Sequence, residues 1–542
     1  MLKFKTFIIA LILPFGFIVA QQDTTNYSYK FRVFLSDKNA SPYSIDNPLE
    51  FLSQKALDRR NRQNIAIDES DLPVSPQYVE ILKSQGFEIA AKSKWLNTVT
   101  VHCNDSIMAE TLNNFAFVDS ITFVWKGIAN SIRMPQNSNL PKSTTYTGDY
   151  YGAANKQILV HRGDSLHRAG FRSEGMDIAV LDAGFEHLDE NLYLSDVQIQ
   201  EIKDFVFYKD SSLENDHGVK VLSCMATNHP YTFVGTAPKA RYWLLRTENA
   251  AYEYPVEEDY WVTAAEYADS IGVDVINSSL GYSKFDAPAT SYTYEQTDGK
   301  TAYITQGANK AVEKGIFVVS SAGNEGSKNW KYITPPADGQ YVFTVGAMKS
   351  DSIIIGFSSR GPTADGRVKP DVMAVGSQAG TIDKNGIITT SSGTSFSSPI
   401  MCGLVTCLWQ AFPLLTNKQL ADVIRQSANR YYEPDNNYGY GIPNMVKAMQ
   451  IANSQTGINN TIRYEDYFNI ITDSVNQTIT IKKTSDNSSK YNVRIYSIEG
   501  KTITIDSFHE KEKTYKIAQG NNNIFIINIK SSEFAASKKV CF

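Results

Sequence analysis

Ile178-Ala179-Val180-Leu181-Asp182-Ala183-Gly184 is an unbroken apolar run that stops on a carboxylate and a small-residue turn. Such a run, with no polar alternation, fits a strand buried on both faces, and strands of that kind belong to parallel sheets covered by helices. Asp182 then falls at the carboxyl end of its strand, the edge on which open α/β sheets carry their reaction sites. Comparable runs recur at Tyr242–Leu245, Val273–Ile276, Phe317–Val319, Val342–Val345 and Val372–Val375, with helical stretches between them. The expected fold over residues 151–453 is therefore α/β, a parallel sheet flanked by helices.

Further along, Gly393-Thr394-Ser395-Phe396-Ser397-Ser398-Pro399 sets a serine between small residues at a loop-to-helix junction. Glycine permits close approach of a substrate backbone, and a helix beginning near Ser395 turns its unpaired N–H groups toward developing negative charge. Pro399 is expected near the first turn of that helix, where a missing N–H costs least. A Gly-Thr-Ser triplet by itself is more often a turn or a cap, so the reading depends on a base and a carboxylate elsewhere. His217, in Asn215-Asp216-His217-Gly218-Val219, opens a helix expected to reach about Thr227. A serine hydroxyl is a poor nucleophile at neutral pH, and an imidazole with a pKa of about 6.5 can accept its proton. Asp182 would orient that imidazole.

The chain order Asp182, His217, Ser395 is that of subtilisin. Four more stretches agree: Ser278-Ser279-Leu280-Gly281, Ser320-Ser321-Ala322-Gly323-Asn324-Glu325-Gly326, Phe357-Ser358-Ser359-Arg360-Gly361-Pro362 and Lys369-Pro370-Asp371-Val372. Together they resemble a subtilisin-like serine protease (subtilase) over roughly residues 150–450. The resemblance implies a serine endopeptidase acting on protein or peptide substrates without a catalytic cofactor. Asn324 would be its oxyanion donor, a role favoured over a turn asparagine because Ala322-Gly323-Asn324 ends the run Ile316–Val319. Ser278, Ser279, Leu280 and Gly281 would form a backbone edge for an extended substrate, or else ordinary strand-to-loop punctuation. Tyr252 and Tyr254 would form the opposite wall. Ala183, Ser223, Phe396-Ser397 and Val375 depart from residues usual in the family, and none of them removes a reacting atom.

The 542 residues are 42% hydrophobic and 20% charged, ordinary values for globular protein and room for several domains. A net charge of −5 without a basic block gives no electrostatic footprint for nucleic acid. Lys3 and Lys5 precede the apolar segment Phe7–Val19, so residues 1–20 read as a secretory signal and the protein as secreted or cell-surface. No later segment is apolar enough to span a membrane. Five cysteines, an odd number without a Cys-x-x-Cys pair, form no disulfide framework and no metal site. Calcium stabilises many subtilases, but no oxygen-rich loop has readable ligand spacing, which leaves structural calcium open.

Residues 24–130 combine strand-like and helical stretches into a small α+β unit. By resemblance this is a propeptide; the alternative is an unrelated domain retained in the mature protein. Residues 131–150 are a polar linker with the expected maturation site. Beyond about Asn453 the pattern becomes strand-like, so 460–542 should be a small β domain. Val493–Lys501, Ile524–Ile529 and Lys538-Lys539-Val540 resemble a Bacteroidetes type IX secretion sorting domain, which would engage that export machinery. A β-sandwich accessory domain remains the alternative, because the usual Tyr-Pro-Asn-Pro start is absent. Two rivals to the protease reading stay open: a non-catalytic binding protein on this fold, and an adhesin whose function lies in the C-terminal domain.

Overall fold

In the computed structural model, which describes residues 27–39, 41–128, 149–207, 215–456, 468–484, 490–497, 502–517, 524–530 and 535–541, the apolar runs pair into one seven-stranded parallel sheet. Its order is Val372–Val375, Phe343–Met348, Phe317–Ser321, Val275–Ser278, Asp177–Asp182, Arg241–Arg246 and Gln198–Asp204. All six pairings are parallel. The strands Asp177–Asp182, Val275–Ser278, Phe317–Ser321 and Phe343–Met348 are buried at every residue, which is why none of them alternates in sequence. The edge strand Gln198–Asp204 shows no apolar run because only every second residue is partly covered.

Helices cover both faces. On one side, His217–Ala226 and Thr394–Ala411 pack in a core that includes Ile178, Val180, Leu222, Tyr242 and Ile400. On the other, Val256–Ile271 and Tyr303–Glu313 pack against Ala179, Leu181, Leu245 and Ile276. Every residue of Thr394–Ala411 except Gln410 is buried, as expected of a helix that is apolar nearly all round.

Pro399 does not lie in the first turn of that helix. Thr394 is the first helical residue and Pro399 the sixth, so the missing N–H is the one that would have bonded the Ser395 carbonyl. The gap is filled from outside the helix, since Ser279 Oγ donates to Ser395 O at 2.9 Å.

Residues 27–128 form a separate antiparallel sheet, ordered Glu88–Ser93, Thr98–Cys103, Tyr27–Leu35 and Val118–Ile128. It is fastened to the helices Val256–Ile271 and Tyr303–Glu313 by buried polar groups. Arg32 donates twice to Asp259, at 2.8 and 2.6 Å, and Thr100 Oγ1 donates to the same carboxylate at 2.6 Å. Glu266 accepts from Ser93 Oγ and from the backbone N–H groups of Lys94 and Trp95. An arm carrying the helix Gln54–Arg62 reaches further, to the amino ends of the central strands. There Arg59 and Arg60 pair with Asp269, and Lys55 pairs with Asp177 and Asp274. Lys314 returns the contact, meeting Asp71 at 3.0 Å and Asp68 at 2.9 Å.

The C-terminal segment packs a three-stranded sheet beside a four-stranded one around Phe468, Ile479, Val493, Ile495, Phe508 and Ile527. The signal segment 1–20 and linker residues 131–148 lie outside the described residues. Among the described residues no helix is long and apolar enough to cross a membrane.

Candidate active site

Three chain breaks from regular structure meet at the carboxyl edge of the sheet. Asp182 is the last residue of its strand, His217 the first of its helix, and Ser395 the second residue of the long helix. His217 Nδ1 lies 2.6 Å from Asp182 Oδ1, the shortness expected of a charge-assisted bond. Asp182 is fully buried and its Oδ1 also accepts from Ala183 N at 2.8 Å, while Oδ2 has no hydrogen-bond partner. Alanine at 183, where the family usually has a hydroxyl residue, brings no side-chain donor that could reach it. Asn215 Oδ1 accepts from His217 N at 2.8 Å and fixes the start of the histidine helix.

The His217 imidazole is pulled in two directions. Burial disfavours its cation, but the adjoining Asp182 charge and hydrogen bond outweigh that, with Glu248 adding and Lys220 subtracting, and the pKa rises to about 9. About a third of the side chain, 31%, remains exposed, so the ring is reachable from the cleft. Phe396 stands beside the ring, with centroids 5.9 Å apart.

Ser395 is 8% exposed and its hydroxyl donates to Ser279 O at 3.3 Å. Asn324 Oδ1 accepts from Thr394 N at 2.9 Å and from Thr394 Oγ1 at 3.0 Å. With both donors on the oxygen, the amide must present Nδ2 as its free end. Beside it in the first helical turn, Thr394 N is taken by Asn324 and Phe396 N by Gly393 O, while the Ser395 N–H is too near the helix start to have an intrahelical acceptor.

These groups line one cleft of about 340 Å³, together with Glu248, Glu253, Leu280 and Gly281. Its floor is shaped by two glycines. A Cβ at Gly281 would fall 2.3 Å from Thr334 Oγ1, and one at Gly323, where φ is 103°, would fall 2.7 Å from the same atom.

Ser279, Leu280 and Gly281 line the cleft, but the Ser278 side chain does not. Ser278 ends its strand facing the opposite side, fully buried, with its Oγ accepting from Trp261 Nε1 at 3.0 Å. The alternation of side chains along a strand accounts for this. Tyr252 and Tyr254 do not form the far wall either. Tyr252 packs on Trp125 of the N-terminal domain, and the Tyr254 hydroxyl donates to Ala287 O. Glu248 and Glu253 line the cleft instead. Sequence reasoning passed over them and Thr394; the acidic density from Glu248 to Asp259 was the available signal.

A model of the subtilase family matches residues 173–441, and a model of the peptidase S8 propeptide domain of Bacteroidota matches residues 30–141. Subtilisin E of Bacillus subtilis (strain 168) is 28% identical over 295 residues, covering 53% of this chain and 69% of its own. Subtilisin of Bacillus pumilus is 28% identical over 291 residues, with 53% of this chain and 96% of its own covered. Serine protease AprX of Bacillus subtilis (strain 168) is 26% identical over 324 residues, with 54% and 69% covered. Two matching domains in one order, on a parallel sheet with an N-terminal antiparallel unit against it, identify the chain as a subtilisin-like serine protease of the peptidase S8 kind, made with a propeptide domain.

Proposed function

We propose that this is a secreted endopeptidase that cleaves peptide bonds through an acyl-enzyme on Ser395. The observation that carries the reading is the 2.6 Å contact of His217 Nδ1 with buried Asp182, in the same cleft as Ser395 and the free amide end of Asn324. The Ser395 hydroxyl leaves Ser279 O by rotation about its Cα–Cβ bond and donates to His217 Nε2, a contact that commonly tightens only with substrate bound. As Oγ attacks the carbonyl carbon, His217 takes the proton and Asp182 stabilises the imidazolium. The carbonyl oxygen, now negative, is held by Asn324 Nδ2 and the Ser395 N–H. His217 then protonates the leaving amine and the acyl ester forms. Water, deprotonated by His217, attacks the ester and restores Ser395. Only side chains, backbone and water take part in this sequence.

An extended substrate would lie along Ser279, Leu280 and Gly281, with main-chain hydrogen bonds supplying affinity. The secretory reading rests on the signal-like segment 1–20, and the type IX reading on the C-terminal strands. Deleting the residues after Gln455 separates export from catalysis, because soluble activity survives if that segment only directs secretion.

The test is intact-mass analysis after reaction with a fluorophosphonate probe, followed by peptide mapping. An adduct on Ser395, on a chain starting between about 128 and 150, is the expected result. A folded, processed chain that takes no adduct would overturn it.

A further inference from the structure

Part of the cleft lining, at Glu248 and Glu253, is acidic, and among the described residues no lysine or arginine forms an ion pair with it. Glu248 and Glu253 both line the cleft with His217 and Ser395. Among the described residues, no side chain or amide donates to either carboxylate. His217 and Arg246 act on Glu248 through their charge while hydrogen-bonding other groups: His217 bonds Asp182, and Arg246 bonds Asp204 at 2.7 Å and Ala183 O at 3.1 Å; Lys328, also in the cleft, pairs with Glu325 at 2.8 Å.

Behind this wall lies a third carboxylate, Glu257, fully buried and already accepting from Asn249 N at 2.8 Å and Tyr254 N at 3.2 Å. Burial, then Glu248 and Glu253, push its carboxyl well above the usual carboxylate range, so it keeps its proton. Tyr282, 1% exposed, places its hydroxyl among the same glutamates, and that hydroxyl has no hydrogen-bond partner. A buried phenol without a partner is uncommon and marks an incomplete polar site. Burial first, then repulsion from Asp182, lifts the Glu248 carboxyl to about 7; burial and then Glu248 lift Glu253 to about 8. Crowded in this way the carboxyls tend to hold protons near neutral pH, and a cation seated between them would favour their charged forms.

We infer that the Glu248–Glu253 wall is a subsite for a basic side chain, so that the enzyme prefers substrates carrying lysine or arginine close to the cleaved bond. The inference rests on the endopeptidase reading, because it assigns the ligand of this wall to the substrate that occupies the cleft. A lysine ammonium brings three donors, enough for both carboxylates, and an arginine fork can bridge them. The long aliphatic stem of either would lie along Leu280.

The experiment uses the processed enzyme from the full chain, with casein as a general substrate and a positional library of fluorogenic peptides. Matched peptides then carry lysine, norleucine or glutamate at the selected position. Lysine or arginine is expected to exceed norleucine in kcat/KM by about tenfold or more at one position, with glutamate the poorest. The ratio should fall toward unity in Glu248→Gln with Glu253→Gln, and should shrink for the unaltered enzyme in 1 M salt, a measurement that does not depend on the variant folding. Casein hydrolysis without a basic preference at any position overturns the subsite and leaves the endopeptidase reading standing. A basic preference undiminished both in the variant and in salt also overturns the subsite. Failure to hydrolyse casein and every peptide overturns both.

Discussion

Ser279 and Ser395 hold each other twice: Ser279 Oγ donates to Ser395 O at 2.9 Å, and Ser395 Oγ donates to Ser279 O at 3.3 Å. The first bond replaces the one Pro399 cannot make inside the helix, and the second parks the Ser395 hydroxyl on the Ser279 carbonyl. Position 279 is thus tied to the geometry of the proposed nucleophile as well as to the cleft.

Ser279→Ala leaves the buried Ser395 carbonyl without its donor. We expect a loss of about 1–3 kcal/mol in unfolding free energy, read by urea denaturation in a Ser395→Ala background that cannot digest itself. Ser279→Thr, which keeps the hydroxyl, should recover most of it.

Asn324→Ala removes the proposed side-chain donor to the oxyanion and leaves Thr394 N and Oγ1 without their acceptor. The expected loss is about 10²- to 10³-fold in kcat with little change in KM, the range known for this donor in a subtilisin. A change confined to KM would contradict the role.

The pH dependence follows from His217. As the proposed base it must be neutral, and its pKa is raised to about 9, so kcat/KM should climb through the alkaline range instead of levelling off near 7. The linked stability has the opposite sign. A raised histidine pKa contributes stability that is complete below about 6.5 and is lost as pH rises through 9. Activity should therefore increase over the interval in which this contribution fades, and a profile flat from pH 6 to 9 would contradict it.

Asp269→Ala strips the counter-charge from Arg59 and leaves Arg60 with Asp71 alone; the two arginines are 0% and 1% exposed. Removing one partner of a buried pair typically costs about 3–5 kcal/mol. The Ser395→Ala precursor carrying this change should unfold at clearly lower urea, with the loss reduced on a chain lacking residues 24–130.

The inner strands were legible because burial on both faces writes itself as an uninterrupted apolar run, and Asp182, His217, Asn324 and Ser395 were legible because each interrupts or begins a regular element. Gln198–Asp204 was not, since an edge strand with one partly covered face reads as polar. Ser278 and Ser279 are neighbours of one type, and only the pleat decides that one faces Trp261 and the other Ser395. The place of Pro399 depended on where the helix begins, the least certain part of any sequence reading. Glu248 and Glu253 sit in an irregular loop, where no periodicity tells which side chains face inward.

The arm bearing Gln54–Arg62 grips the amino ends of the strands, on the edge of the sheet opposite Ser395. A cut in the segment joining the two domains severs the chain and leaves that grip untouched. Arg32, Arg59 and Arg60 stay with their carboxylates until the domains drift apart or the arm itself is digested. Cleavage and release then become two separate clocks. The second runs at the pace at which buried ion pairs rehydrate, so a cut chain would keep its N-terminal domain bound until those pairs part.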